Sequence, residues 1–205
     1  MLPRLFHITH LDNVPGIMQR GLLCRHRIEA SAIPYIDLSD PNCQRRRTRR
    51  KLADTEVDLH HYVPLFVNPR NTMLFRLCRS LQEQGQASRL VILELSGEPA
   101  DWRSSLLADG IASSSWTRLF QASDPSGRKA LNWQAVQDSR WPPRTSEDRR
   151  RRMAEVLVSR SLHRRHIRKV WLQHPSALQV LQAKMPEAVR PCCQLDTAGE
   201  LFFHD

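Results

Sequence analysis

RRRRMAEVLVSRSL, Arg149–Leu162, changes character around a single carboxylate, Glu155. The arginines ahead of it suit a solvated helix, and Val156, Leu157 and Val158 behind it favour an extended chain. Upstream, Ser146 reads as a helix N-cap, with Glu147 and Asp148 in the first turn where negative charge complements the helix dipole. If that helix runs on through AEVLV, Glu155 is a surface residue four positions after Arg151, in an ion pair worth about 0.2–0.5 kcal/mol. If the helix stops first, Glu155 opens a strand and its carboxylate belongs to the core. Both readings stay open on these residues alone.

Working outward, the neighbouring segments alternate between the two periodicities. Leu5–Thr9 is β-like, Asp12 or Asn13 can cap a helix with Pro15 in its first turn, and Gly21 suits a left-handed stop. Tyr62–Val67 is aromatic and β-branched, and Thr72 can cap the helix after it. RLVILEL, Arg89–Leu95, is the clearest core strand, and IRKVWLQ and the C-terminal ELFFHD are further strand candidates. Trp116, Leu119 and Phe120 stand at helical spacing. QASDPSGRK reads as a polar loop leading to LNWQAVQDSRW, a short helix, and HPSALQVLQAKM is a helix with Leu178 and Leu181 spaced for burial. Between Ala32 and Asp58 the signals fade into turn residues and a block of six basic residues in seven, Arg45–Lys51, which predicts a mobile functional loop. The mixed element order predicts an α+β domain with flanking helices, a single unit over 1–205.

The composition bounds the function. At 40% hydrophobic and 25% charged residues the chain can bury a real core. No apolar stretch approaches the roughly 20 residues that span a bilayer, and MLPRLFHITH lacks the apolar region and cleavage site of a secretory leader. A cytoplasmic protein without a membrane partner is expected. The net charge of +10 comes from 31 basic against 21 acidic residues, and only four of the basic ones are lysine. Arginine binds phosphate bidentately and stacks on bases, so a polyanionic partner such as nucleic acid is favoured over a merely solvated surface.

Much familiar chemistry is excluded. With seven glycines and no GxGxxG, GxxxxGK[ST] or GxSxG, the dinucleotide, P-loop and hydrolase-elbow readings lack their key feature. HExxH is absent, and His163 and His166 in HRRHI read as a solvated basic face. The five cysteines show no CxxC spacing, and adjacent Cys192 and Cys193 diverge along an extended chain. Reduced, mostly buried thiols and no metal are expected.

What remains, taken in order, is FHITH, the arginine block, HHYVPLFVNPRNTML, DGIASSSWTRLF, LNW and MAEVLV. Together they resemble the DarT (DUF4433) family of toxin ADP-ribosyltransferases that act on DNA, over essentially the whole chain. CQRRR matches the loop pattern carrying that family's essential arginine and sets it at Arg47, with Arg46 as the neighbouring alternative; MAEVLV matches the catalytic glutamate segment at Glu155. This chain departs from the pattern at His61, at LFV in place of three aromatics, at Ile111 and at Met153.

The resemblance implies a split β-sheet core with a long mobile NAD-binding loop, NAD+ as co-substrate, and transfer of ADP-ribose to a base, thymine first, in single-stranded DNA. It implies catalytic roles for Glu155 and Arg47, and cofactor contacts at His7, Thr9, Asn13, Arg47 and Tyr62. Arg45, Arg46, Arg49 and Arg50 would hold DNA phosphates. A monomer with a DarG-like macrodomain antitoxin as partner is expected. Transfer to RNA or protein, or a silent arginine-rich nucleic-acid-binding domain, are the alternatives.

Overall fold

The computed structural model describes residues 4–52, 56–96, 104–131, 136 and 140–203. Among them, eight strands form one mixed sheet. In chain order these are β1 (Leu5–His10), β3 (Tyr62–Phe66), β4 (Leu90–Leu95), β5 (Leu106–Ala108), β6 (Leu119–Gln121), β7 (Glu155–Ser159), β9 (Ile167–Leu172) and β10 (Cys193–Leu195). Across the sheet they run β10-β9-β4-β1-β3-β7-β5-β6. All neighbours are antiparallel except β9 and β10. A small second sheet pairs β2 (Leu22–Leu23) with β8 (Ser161–Leu162). The α+β expectation holds.

Both faces of the sheet are covered, which is why β4 is apolar throughout but for Glu94 and buried at every residue. On one face, α1 (Val14–Arg20) and α7 (Pro175–Lys184) bring Val14, Met18, Ala177 and Leu181 against Val63, Leu65, Val91 and Val156. On the other, α4 (Thr72–Glu83) packs Leu74, Cys78 and Leu81 against Phe6, Ile8 and Ile92. Gly21 ends α1 at φ +84°, and a Cβ there would lie 2.4 Å from the Leu162 carbonyl oxygen, so the turn requires glycine.

The sheet is split at its centre. β1 follows β4 over six residue pairs but meets β3 at one, Phe6 with Phe66. Past that pair the strands part, and Pro64, which has no N–H to offer a ladder, sits beside the opening.

The Arg149–Leu162 question resolves in favour of the strand. The helix there, α6 (Ser146–Arg151), is capped by Thr145, whose hydroxyl accepts from the Asp148 amide at 3.0 Å, one residue before the expected cap. It ends before Ala154, and β7 begins at Glu155. Five other expectations need correction. The loop across Arg45–Lys51 contains α3 (Pro41–Arg49), capped by Asp40 with Pro41 in its first turn. Leu119 and Phe120 lie in β6, and the polar stretch after them contains α5 (Pro125–Ala130), capped by Asp124. The chain end at Leu201–Phe203 is buried without being a strand, since the Asp196 carboxylate takes up the Leu201 and Phe202 amides. The cap before α4 is Asn71, and Thr72 is the first helical residue. Asn132 and Trp133 of LNW lie outside the described residues.

Candidate active site

Glu155 is held from three sides. It sits on β7 between Phe66 of β3 and Ala108 of β5, and is 3% exposed. Its Oε2 accepts the Ala112 amide at 2.8 Å and faces Arg47 Nη1 at 3.8 Å. Burial pushes its pKa up from the usual carboxylate range, with Arg47, the Ala112 amide and Arg50 acting in the opposite sense. A glutamate so placed holds a proton more readily than an exposed carboxylate does, which is the chemistry a general base needs. The alternative partner, Arg151, pairs instead with Glu147 at 2.8 Å.

Arg47 is the buried arginine of α3. It is 6% exposed, and its Nη2 donates to the Leu59 carbonyl at 2.9 Å while Nη1 turns to Glu155. Arg45, Arg46 and Arg49 are all exposed on the same helix. Arg50 departs from the phosphate-binding expectation: its guanidinium donates to the carbonyls of Ala112, Ser114 and Thr117. It thereby fixes the segment whose Ala112 amide holds Glu155, and both of its terminal nitrogens are engaged in doing so. Arg150 likewise turns inward to Asp109 at 2.9 Å, and Arg152 is 2% exposed, so the run before Glu155 is only partly a solvated face.

A cavity of about 520 Å³ opens beside the split in the sheet. His7, Thr9, Asn13, Arg47 and Tyr62 all line it, so one space gathers the five residues expected to touch cofactor. Glu155 is reached from it through Arg47, which faces both. His7 Nδ1 lies 3.0 Å from the Pro64 carbonyl across the gap between β1 and β3. A carbonyl oxygen only accepts, so Nδ1 carries the proton and Nε2 is left as an acceptor. Burial lowers the pKa of His7, partly offset by the Pro64 bond, and so favours the neutral ring. Asn13 makes no helix cap. Its side chain instead donates to Thr9 Oγ1 at 3.1 Å and to the Ile36 carbonyl at 2.9 Å, and accepts the Ile36 amide at 2.8 Å. This pair of hydrogen bonds to one residue's backbone holds the segment that walls the cavity near Tyr35 and Ile36.

Two contributors escaped the sequence reading. Ala112 acts through its backbone amide, which no side-chain pattern reveals. Pro64 acts through a carbonyl at the split, and its place within HHYVPLF was the available signal. None of the five cysteines forms a disulfide, and Cys24 and Cys78 are buried. His163 caps its own turn by accepting from the Arg165 amide at 3.1 Å. No helix among the described residues is long and apolar enough to cross a membrane.

The sequence model of a family described as ssDNA thymidine ADP-ribosyltransferase, DarT, matches residues 6–203. A DNA ADP-ribosyl transferase–DNA ADP-ribosyl glycohydrolase fusion protein of Thermosipho africanus (strain H17ap60334) is 31% identical over 175 residues. That match covers 84% of this chain and 44% of the fusion protein, so the chain spans under half of that relative's length. A DNA ADP-ribosyl transferase of Thermus sp. (strain 2.9) is 28% identical over 197 residues, covering 91% of this chain and 90% of the relative. The fold is similar to that of Thermus sp. 2.9 DarT solved with ADP-ribosylated ssDNA, at a TM-score of 0.77 and 23% identity, covering 98% of this chain and 96% of that one. The same protein solved with NAD+ gives a TM-score of 0.73 at 24% identity, covering 99% and 100%.

Proposed function

Because the chain belongs to the DarT family of ssDNA thymidine ADP-ribosyltransferases, we propose that it transfers ADP-ribose from NAD+ to thymine in single-stranded DNA, with Glu155 as catalytic base. The observation that carries this reading is the buried Glu155–Arg47 pair, whose arginine also lines the cavity.

NAD+ occupies the cavity beside the split, with its nicotinamide ribose toward His7 and Thr9 and its pyrophosphate within reach of Arg47. The bond between ribose C1′ and the nicotinamide nitrogen breaks, and nicotinamide leaves with the bonding pair. The sugar passes through an oxocarbenium-like cation, which a fixed negative charge in a water-poor site stabilises. A ring nitrogen of the base attacks C1′, and its proton goes to the Glu155 carboxylate. The pairing edge of a base is hidden in a duplex, so the acceptor is single-stranded. Arg45, Arg46 and Arg49, on the outer side of α3, hold its phosphates.

The proposed cellular role is that of a toxin, acting in the cytoplasm and countered by a DarG-like macrodomain partner. The Thermosipho relative, which joins a transferase to a glycohydrolase, supports such a pairing. The test is incubation with labelled NAD+ and oligonucleotides of varied sequence, followed by mass spectrometry of the product. Thymine-linked ADP-ribose is expected on single strands and absent from duplexes. Label on RNA or protein instead would move the acceptor, and intact NAD+ with DNA merely bound would reduce the chain to a binding domain.

A further inference from the structure

Apart from the transfer site, three potential metal ligands converge between α2 (Arg25–Ala30) and the turn leading into β3. They are His26, Asp58 and His61, whose ligand atoms all lie within 4.8 Å of one another. Asp58 Oδ1 is 3.1 Å from His26 Nε2 and 3.3 Å from His61 Nδ1. Tetrahedral zinc with ligand bonds of about 2.0–2.1 Å sets its ligand atoms roughly 3.3 Å apart, so both spacings already match a coordination edge. The two imidazole centroids are 4.0 Å apart.

Hydrogen bonding alone accounts poorly for this arrangement. The same Asp58 Oδ1 also accepts the His60 amide at 2.9 Å. Three nitrogens therefore crowd one oxygen that offers about two lone pairs. One cation in place of two ring protons lets both imidazoles give lone pairs to a shared centre, while the His60 amide keeps the carboxylate oriented. Asp58 is buried, but the two histidine side chains are 42% and 43% exposed, which leaves an access route and a face for water. The nearby cations are compensated: Arg25 bonds Glu29 at 2.6 Å and Asp37 at 3.2 Å, and Arg47 faces Glu155.

We propose that His26, Asp58 and His61 form a binding site for a divalent transition-metal ion of the zinc type, completed by solvent. The ion does not enter the transfer chemistry. It staples α2, which gives Arg25 and Ile28 to the cavity wall, to the turn that precedes Tyr62 on another wall.

The experiment is thermal unfolding of the chelator-treated full chain with zinc chloride, and with magnesium chloride as control. At a hundredfold excess over Kd, mass action adds about 2.7 kcal/mol, which for a chain of this length raises Tm by roughly 5–10 °C. Magnesium should give no shift, His26→Ala or His61→Ala should weaken zinc binding at least about tenfold, and His163→Ala should leave it unchanged. Absence of a zinc shift in the wild type, or an undiminished shift in both His26→Ala and His61→Ala, would overturn the site. Because the histidine variants could lose stability for other reasons, cobalt(II) absorption of the wild type gives an independent reading. A d–d band without thiolate charge transfer is expected, and a charge-transfer band would assign the ion to cysteine and refute the proposal. None of these measurements depends on transferase activity.

Discussion

Glu155→Gln separates a catalytic carboxylate from a structural ion pair, because the two roles predict opposite changes in stability. Glutamine keeps the volume and an oxygen to accept the Ala112 amide, now held at 2.8 Å. It removes the charge that faces Arg47 at 3.8 Å. Burial raises the folded pKa of Glu155 above its ordinary value near 4.5. The folded state therefore binds more protons than the unfolded state across that interval. Stability contributed by the protonated form is present below pH 4.5 and is lost as pH rises through the folded value. Each tenfold change in acid constant between the two states corresponds to about 1.36 kcal/mol. Glutamine mimics the protonated form at every pH. The variant should thus melt at or above the wild-type temperature at pH 8, and the difference should shrink toward pH 4.5. Transfer should fall by about 10²–10⁴, the usual contribution of a positioned base, or roughly 2.7–5.5 kcal/mol of barrier. Scanning fluorimetry across pH, paired with label transfer from NAD+ to a single-stranded oligonucleotide, reads both. A variant that melts well below wild type at pH 8 would show that the charge is needed for Arg47 rather than for chemistry. One that keeps activity within tenfold would remove Glu155 from the mechanism.

Arg47→Lys should lose at least about a hundredfold in transfer while keeping its charge, because a compact ammonium lacks the fork that sets Nη2 on the Leu59 carbonyl and Nη1 toward Glu155; single-turnover kinetics check this. Asn13→Ala removes both hydrogen bonds to the Ile36 backbone and the one to Thr9, at about 1 kcal/mol per hydrogen bond. KM for NAD+ should rise roughly tenfold with kcat nearly unchanged, as steady-state kinetics will read. Replacing Arg45, Arg46 and Arg49 together by alanine should flatten the slope of log affinity against log salt on single-stranded DNA by about 2, since each phosphate contact contributes about 0.7. Arg50→Ala should leave that slope alone and lower Tm, because its guanidinium is bound to carbonyls of the Ala112–Thr117 segment.

The strands that carry the site were legible because their residues are apolar and their boundaries punctuated: β1, β3, β4 and β9 all lie where the pattern set them. The split between β1 and β3 was legible only through family resemblance, since pairing partners leave no mark on local sequence. The parts that went unread share a physical cause. Periodicity detects a buried face by its hydrophobicity, and α3 buries a face that is not hydrophobic. Positions 43, 47 and 50 follow the helical spacing of i, i+4 and i+7. Cys43 Sγ meets Ser113 Oγ at 3.3 Å, Arg47 reaches Leu59 and Glu155, and Arg50 reaches three carbonyls. A stripe of guanidinium groups satisfied by backbone oxygens and one carboxylate is invisible to a hydrophobic pattern, so the segment read as a mobile basic loop. The same substitution of charge for apolar packing is what gives the helix its role. An apolar inward face would bury equally well, but it would leave Glu155 without a cation and the Ala112–Thr117 segment without its anchor.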